Sequence, residues 1–152
     1  MKKPMLKVAF WTIIVVTALV IGIGFAAARK SAGMTAPEFK DGVIPPCSSD
    51  PNCVSTEVDT QQRAYIEPIA TAADVALLED HIKTLGGQIT SSSDTHIQAE
   101  FRSRLFGFVD DMMITIDKDN KLLRVLSASR VGKSDLGANR KRVEALRQLV
   151  SG

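Results

Sequence analysis

The chain has 152 residues, two cysteines and a formal net charge of +2, which leaves room for one domain and a short additional segment. Five of the 19 basic residues (Lys2, Lys3, Lys7, Arg29 and Lys30) flank an N-terminal apolar run, so the other 14 face all 17 acidic residues and the rest of the chain carries −3. A mildly acidic domain excludes nucleic acid as the partner, because phosphate neutralisation supplies most of that affinity.

Val8 to Ala28 is an uninterrupted stretch of 21 residues without a charge. As a helix it extends about 31 Å, close to the ~30 Å hydrocarbon core of a bilayer. Trp11 lies near its start, where an amphipathic ring suits the membrane interface. The pattern predicts a single transmembrane anchor over residues 1–30, touching the lipid bilayer through residues 8–28. The competing reading is a cleaved secretory signal. Ala26-Ala27-Ala28 supplies an Ala-x-Ala-like site, but the run exceeds the usual ~7–15 residues. Lys2, Lys3, Lys7 and the amino terminus outweigh Arg29 and Lys30, which predicts a cytoplasmic N-terminus. Either way, the remainder is expected outside a bacterial inner membrane, in the periplasm.

Residues 31–46 contain Gly33, Pro37, Gly42, Pro45 and Pro46 without a sustained period, the composition of a linker. The domain is expected over residues 47–152. It opens with Cys47-Ser-Ser-Asp-Pro-Asn-Cys53, whose Asp50-Pro51-Asn52 is turn chemistry that brings the cysteines together. In an oxidising compartment a disulfide is the simplest outcome. Zinc would require two further ligands, and the two histidines, His81 and His96, have no short-range partner. A redox dithiol favours Cys-x-x-Cys, which this is not. No metal or cofactor is expected.

Arg63 to Ile69 reads as a short strand. Thr71 to Leu85 reads as a helix, with Thr71 as cap and Val75, Leu78, Ile82 and Leu85 forming one apolar stripe. Gly86-Gly87 ends it. Three strands follow: His96–Leu105 with a wet outer face, Phe108–Ile116, and Leu122–Arg130 beyond a turn at Asp117–Asn120. The last helix is expected from about Asp135 to Val150, capped by Ser134 or Asp135, with Leu136, Val143, Leu146 and Val150 as its apolar stripe. This order predicts an α+β fold, an antiparallel sheet with two helices packed on one face, preceded by the transmembrane helix.

Two features are not explained by packing alone. Strand alternation puts Asp110 among Phe108, Met112 and Ile114, and a buried carboxylate needs a partner. Arg130 on the neighbouring strand is the expected one, with the hairpin register placing residue 127 opposite Asp110. Arg140, Lys141 and Arg142 occupy the start of a helix, where cations oppose the helix dipole unless an anion sits nearby. That anion is either internal, with Asp110, Asp111 or Asp135 closing a salt-bridge network, or an anionic small molecule. The candidate ligand-binding residues are Arg130, Ser134, Asp135, Asn139, Arg140 and Arg142. Asp110 and Asp111 are weak candidates for an acid or base. No serine–histidine pair, phosphate loop or metal cluster supports a catalyst more strongly.

Two blocks resemble a known family, domain of unknown function 1499, found in bacterial envelope proteins and some plastid proteins. One is Cys47 to Ser55; the other is Ser127-Ala-Ser-Arg-Val-Gly-Lys-Ser-Asp-Leu-Gly-Ala-Asn-Arg-Lys-Arg142, preceded by Phe108-Val-Asp-Asp111. The chain departs from the family pattern at Ser48, where proline is frequent, at Leu126, where arginine is common, and at Lys133, where an aromatic is common. The resemblance implies one compact domain spanning both blocks and singles out Cys47, Cys53, Asp110, Asp111, Arg130, Ser134, Asp135, Gly137, Asn139, Arg140 and Arg142. It implies no activity. The leading expectation is a non-enzymatic, membrane-tethered domain that binds a protein partner or an anionic small molecule through residues 127–142. The alternatives are an envelope enzyme using Asp110 or Asp111 with Arg130, and a structural accessory subunit of a membrane complex.

Overall fold

The computed structural model describes residues 3–58 and 61–151. Lys2 and the side chain of Lys3, both part of the N-terminal basic cluster, lie outside the described residues, as do Asp59, Thr60 and Gly152.

Helix α1 (Lys3–Gly33) carries the apolar run, and its 27-residue stretch from Lys7 to Gly33 is long and apolar enough to cross a membrane. The domain that follows is α+β. Its elements are β1 (Cys53–Ser55), β2 (Ile69–Ala70), α2 (Val75–Thr84), β3 (Gly87–Ser92), β4 (His96–Arg102), β5 (Val109–Asp117), β6 (Leu122–Ser129) and α3 (Ala138–Ser151). The strands form one open sheet in the order β1-β6-β5-β4-β3, every pair antiparallel, with β2 sharing the outer edge of β6 with β1.

Local chemistry sets the corners. Asp74, rather than Thr71, caps α2: its carboxylate accepts from the Leu77 N–H at 2.8 Å. The Asp117 carboxylate accepts from the backbone and side-chain N–H groups of Asn120, which closes the β5–β6 hairpin and holds the Asp117 pKa below the ordinary aspartate value. α3 starts at Ala138, three residues later than its apolar pattern predicts. Leu136 is therefore not part of the helical stripe: it has φ 54° and is 90% exposed.

α2 and α3 pack on one face of the sheet. Leu78, Ile82, Val143 and Leu146 meet Ile97, Ala99, Met112, Ile114 and Val125 in the main core. Each fully buried aliphatic side chain contributes about 1.5–3 kcal/mol relative to exposure.

The opposite face is also covered, which the linker reading did not anticipate. Ile44 and Phe39 pack with Met113, Leu126 and Cys53. The Phe39 ring stands edge-on to His96, with centroids 5.4 Å apart, and the Thr115 hydroxyl donates to the Gly42 carbonyl. Ser31, fully buried at the end of α1, exchanges two hydrogen bonds with the backbone of Val109. Residues 31–46 are thus a strap across the sheet. Apolar residues here have no period because beyond the end of α1 at Gly33 the strap forms no regular element, so periodicity could not reveal them. β5 is buried on both faces along most of its length.

Candidate functional site

The polar corner forms where β6 ends and α3 begins, and the sheet divides it in two. Successive strand residues point to opposite faces, so Asp110 and Asp111 cannot share a partner. Asp110 is opposite Ser129 and Met112 is opposite Ser127, a register two residues away from the expected one. On β6, Ser127 and Ser129 therefore lie on the helix side with Asp110, while Ala128 and Arg130 lie on the strap side with Asp111.

On the helix side, Arg142 is the partner of Asp110, at 2.8 Å. The same guanidinium donates to the Ser127 hydroxyl at 3.0 Å and to Asn139 Oδ1, and it stacks 4.3 Å over the Phe101 ring. Asn139 is fully buried and satisfied on all sides. Its Oδ1 accepts from Ser127 Oγ at 2.7 Å, and its Nδ2 donates to the Asn52 carbonyl at 3.0 Å and to Ser129 Oγ at 3.1 Å. Asp135 caps α3, accepting from the N–H groups of Gly137 at 2.9 Å and Asn139 at 2.7 Å. Ser134 Oγ accepts from the Leu136 N–H at 3.3 Å.

On the strap side, Arg130 grips Asp111 with two bonds of 2.8 and 2.7 Å, reaches Glu100 at 2.5 Å and donates to the Met34 carbonyl at 2.7 Å. The expected Arg130–Asp110 pair is thus replaced by Arg130–Asp111. The Arg130 and Asp111 side chains are 5% and 1% exposed. The hydrogen bonds to Asp111, joined by those to Glu100, push the Arg130 pKa above its ordinary value against the opposing cost of burial. Arg140 turns to the β1–β2 connection instead and donates to the carbonyls of Arg63 at 2.8 Å and Tyr65 at 3.0 Å. The three arginines at this corner are all engaged inside the chain.

Sequence reasoning missed Asn52. Cys47 and Cys53 are joined in a disulfide with Cα atoms 5.8 Å apart, and Asn52 rides on that loop. It donates to the Gly132 carbonyl at 2.6 Å, and its own carbonyl accepts from the Ser129 N–H at 2.9 Å as well as from Asn139. The two blocks of the sequence therefore meet at Asn52. Glu100 was also missed: it belongs to the β4 face expected to be wet, yet lies directly opposite Asp111.

Beside this network lies a cleft of 340 Å³ between the Ser103–Phe108 turn and the start of α3. Leu105, Phe106, Phe108, Val131 and Leu136 wall it, and Asp110, Ser129, Ser134 and Asp135 supply its polar side. Among the described residues its lining contains two carboxylates and no basic side chain.

Residues 43–150 match the family described as Protein of unknown function (DUF1499). The chain belongs to that family. No curated protein and no solved structure matches it.

Proposed function

We propose that this DUF1499 member is a single-pass protein of a bacterial inner membrane whose domain stands on the periplasmic side and binds a small amphipathic ligand. The length and composition of α1 support the anchor, and the basic residues ahead of its apolar run support a cytoplasmic N-terminus. The Cys47–Cys53 disulfide fits an oxidising compartment.

The cleft is the observation that carries the binding reading. Its volume falls within the range of small-molecule sites, and apolar walls around a few convergent polar groups are the usual composition of such sites. The chemistry of the polar side favours a ligand that donates hydrogen bonds, such as an alcohol or an ammonium group. An anion bound at Arg130, Arg140 and Arg142 would have to displace Asp111, two backbone carbonyls and Asp110, so the guanidiniums serve the fold better than they serve a ligand. Asp110 lines the cleft and Asp111 does not, so of the two adjacent aspartates it is Asp110 that borders a bound molecule, together with Asp135.

Native mass spectrometry of the full chain, released from gentle detergent, tests this reading. A reproducible added mass is expected. Ala138→Trp, at an exposed position on the cleft wall, should remove that mass and leave the thermal midpoint nearly unchanged. A bare wild-type mass, or an adduct indifferent to Ala138→Trp, overturns the binding reading.

A further inference from the structure

The turn between β4 and β5 does not stand clear of the anchor. Phe106 packs edge-on against Phe25 of α1, with ring centroids 5.4 Å apart. A Cβ at Gly24 would come within 2.6 Å of the Phe106 ring, so glycine is what allows the ring to seat on the helix. Gly24 is four residues before Ala28, the last residue of the uncharged run. At the rise of an α-helix that separation is about 6 Å, so Phe106 meets α1 below the level at which its charges begin.

We infer that the Ser103–Phe108 turn, with Leu136 beside it, is a second membrane contact, seated in the bilayer leaflet on the domain's side. The inference rests on the reading that α1 crosses the membrane. Given that crossing, the contact with Gly24 and Phe25 fixes the depth of the turn at the boundary of the acyl chains, the depth that interfacial apolar segments occupy. The neighbouring side chains suit that place. Leu105 is 74% exposed and Leu136 is 90% exposed, and both line the mouth of the same cleft as Phe106. Leu136 also holds a left-handed backbone with φ 54°, a conformation that disfavours leucine, and its exposure leaves it almost without packing among the described residues.

Charge agrees with this orientation. Arg29 and Lys30 on α1, Arg104 on the turn and Lys133 ahead of Leu136 are all exposed, a set suited to lipid phosphates at the headgroup level. Asp135, the acid adjacent to Leu136, is occupied by the backbone N–H groups of Gly137 and Asn139. The domain thus rests on the membrane at two points and is held in one orientation, with the cleft opening toward lipid.

Tryptophan quenching in vesicles tests the depth. The protein has one tryptophan, Trp11, inside the anchor. The full chain is reconstituted into phosphatidylcholine–phosphatidylglycerol vesicles whose acyl chains carry bromine at defined carbons. Trp11 of the unmodified chain should be quenched by brominated lipid, which reports the anchor alone. In a Trp11→Phe/Leu105→Trp variant, the emission should be lost to lipid brominated near the glycerol end of the chain and protected from aqueous iodide. Iodide quenching of that variant without lipid quenching, while Trp11 of the unmodified chain still responds to bromolipid, overturns the inference and leaves the anchor standing. A Trp11 that brominated lipid does not quench overturns the anchor reading and this inference with it.

Discussion

Arg130 shows how much the meaning of a single residue depends on strand parity. A long cation near the end of β6 is within reach of either aspartate, and the choice is made by the face to which each points. Even-numbered residues of β6 share a face with odd-numbered residues of β5, because the register pairs Asp111 with Ala128. Arg130 therefore closes on Asp111 and Glu100, and Arg142 arrives from α3 to neutralise Asp110. The raised Arg130 pKa is stability that depends on ionised carboxylates beside it; at neutral pH it is fully present, and as pH rises it is lost only in strong alkali. Removing the cation leaves Asp111, 1% exposed, without a counter-charge. Arg130→Met should destabilise the domain by about 3–5 kcal/mol, read as a lowered urea midpoint. Adding Asp111→Leu should restore much of that loss, because the pair as a whole contributes far less than the cost of orphaning one member. A single-variant loss near zero would show that Arg130 does not hold this pair.

At the scale of elements, the Cys47–Cys53 loop acts on the far end of the domain through Asn52. The loop has little core of its own, but its backbone and side chain tie the end of β6, the Gly132 turn and the start of α3. Closing a loop whose ends are six residues apart constrains the unfolded chain by about 2 kcal/mol. Cys47→Ser/Cys53→Ser should lower stability by about that amount in a chemical denaturation, Asn52→Ala alone by roughly 1–3 kcal/mol through the unpaired groups it leaves, and the triple variant by less than the sum. Additive losses would instead show that the disulfide and Asn52 act independently. Most elements were legible in the residues. The stripe of α2, the alternation of β4 to β6 and the apolar face of α3 each follow a period that packing enforces. The strand expected over Arg63–Ile69 forms only at its end, where β2 is Ile69–Ala70. β1 and β3 were not legible, for different reasons. β1 is three residues long, too short for alternation to show, and is held by its pairing with β6. β3 reads Gly-Gln-Ile-Thr-Ser-Ser, mostly exposed at the sheet edge, and is specified by its partner β4 more than by its own pattern.

At the scale of the whole molecule, the sheet has two covered faces, and this changes what counts as the domain. The matched family region begins at residue 43, yet Ser31, Met34 and Phe39 already contribute contacts to the sheet. Composition alone reads this segment as a tether, because Gly and Pro interrupt it and its two anchoring apolar residues, Phe39 and Ile44, follow no helix or strand period. The strap lies over Met113 and Leu126, both essentially inaccessible, and over the Arg130–Asp111 pair. A fragment beginning at Cys47 would expose that face and lose the burial of Ile44, about 1.5–3 kcal/mol, and the partial burial of Phe39. It would also lose the Met34 carbonyl as an acceptor for a buried arginine. The expected outcome is a fragment 47–152 that aggregates or unfolds at a urea concentration where fragment 31–152 remains folded, with circular dichroism and size-exclusion profiles as the measurements. Equal midpoints for the two fragments would return residues 31–46 to the role of a tether. A strap integral to the fold has a mechanical consequence. α1 continues into it through Ser31, whose hydroxyl is bonded on both sides to Val109 at the start of β5, so α1 is joined to the central strand with no free linker between them. On the proposed reading that α1 crosses a membrane, a domain coupled to it in this way cannot tumble freely above the bilayer, and the same rigidity holds the Phe106 turn against α1.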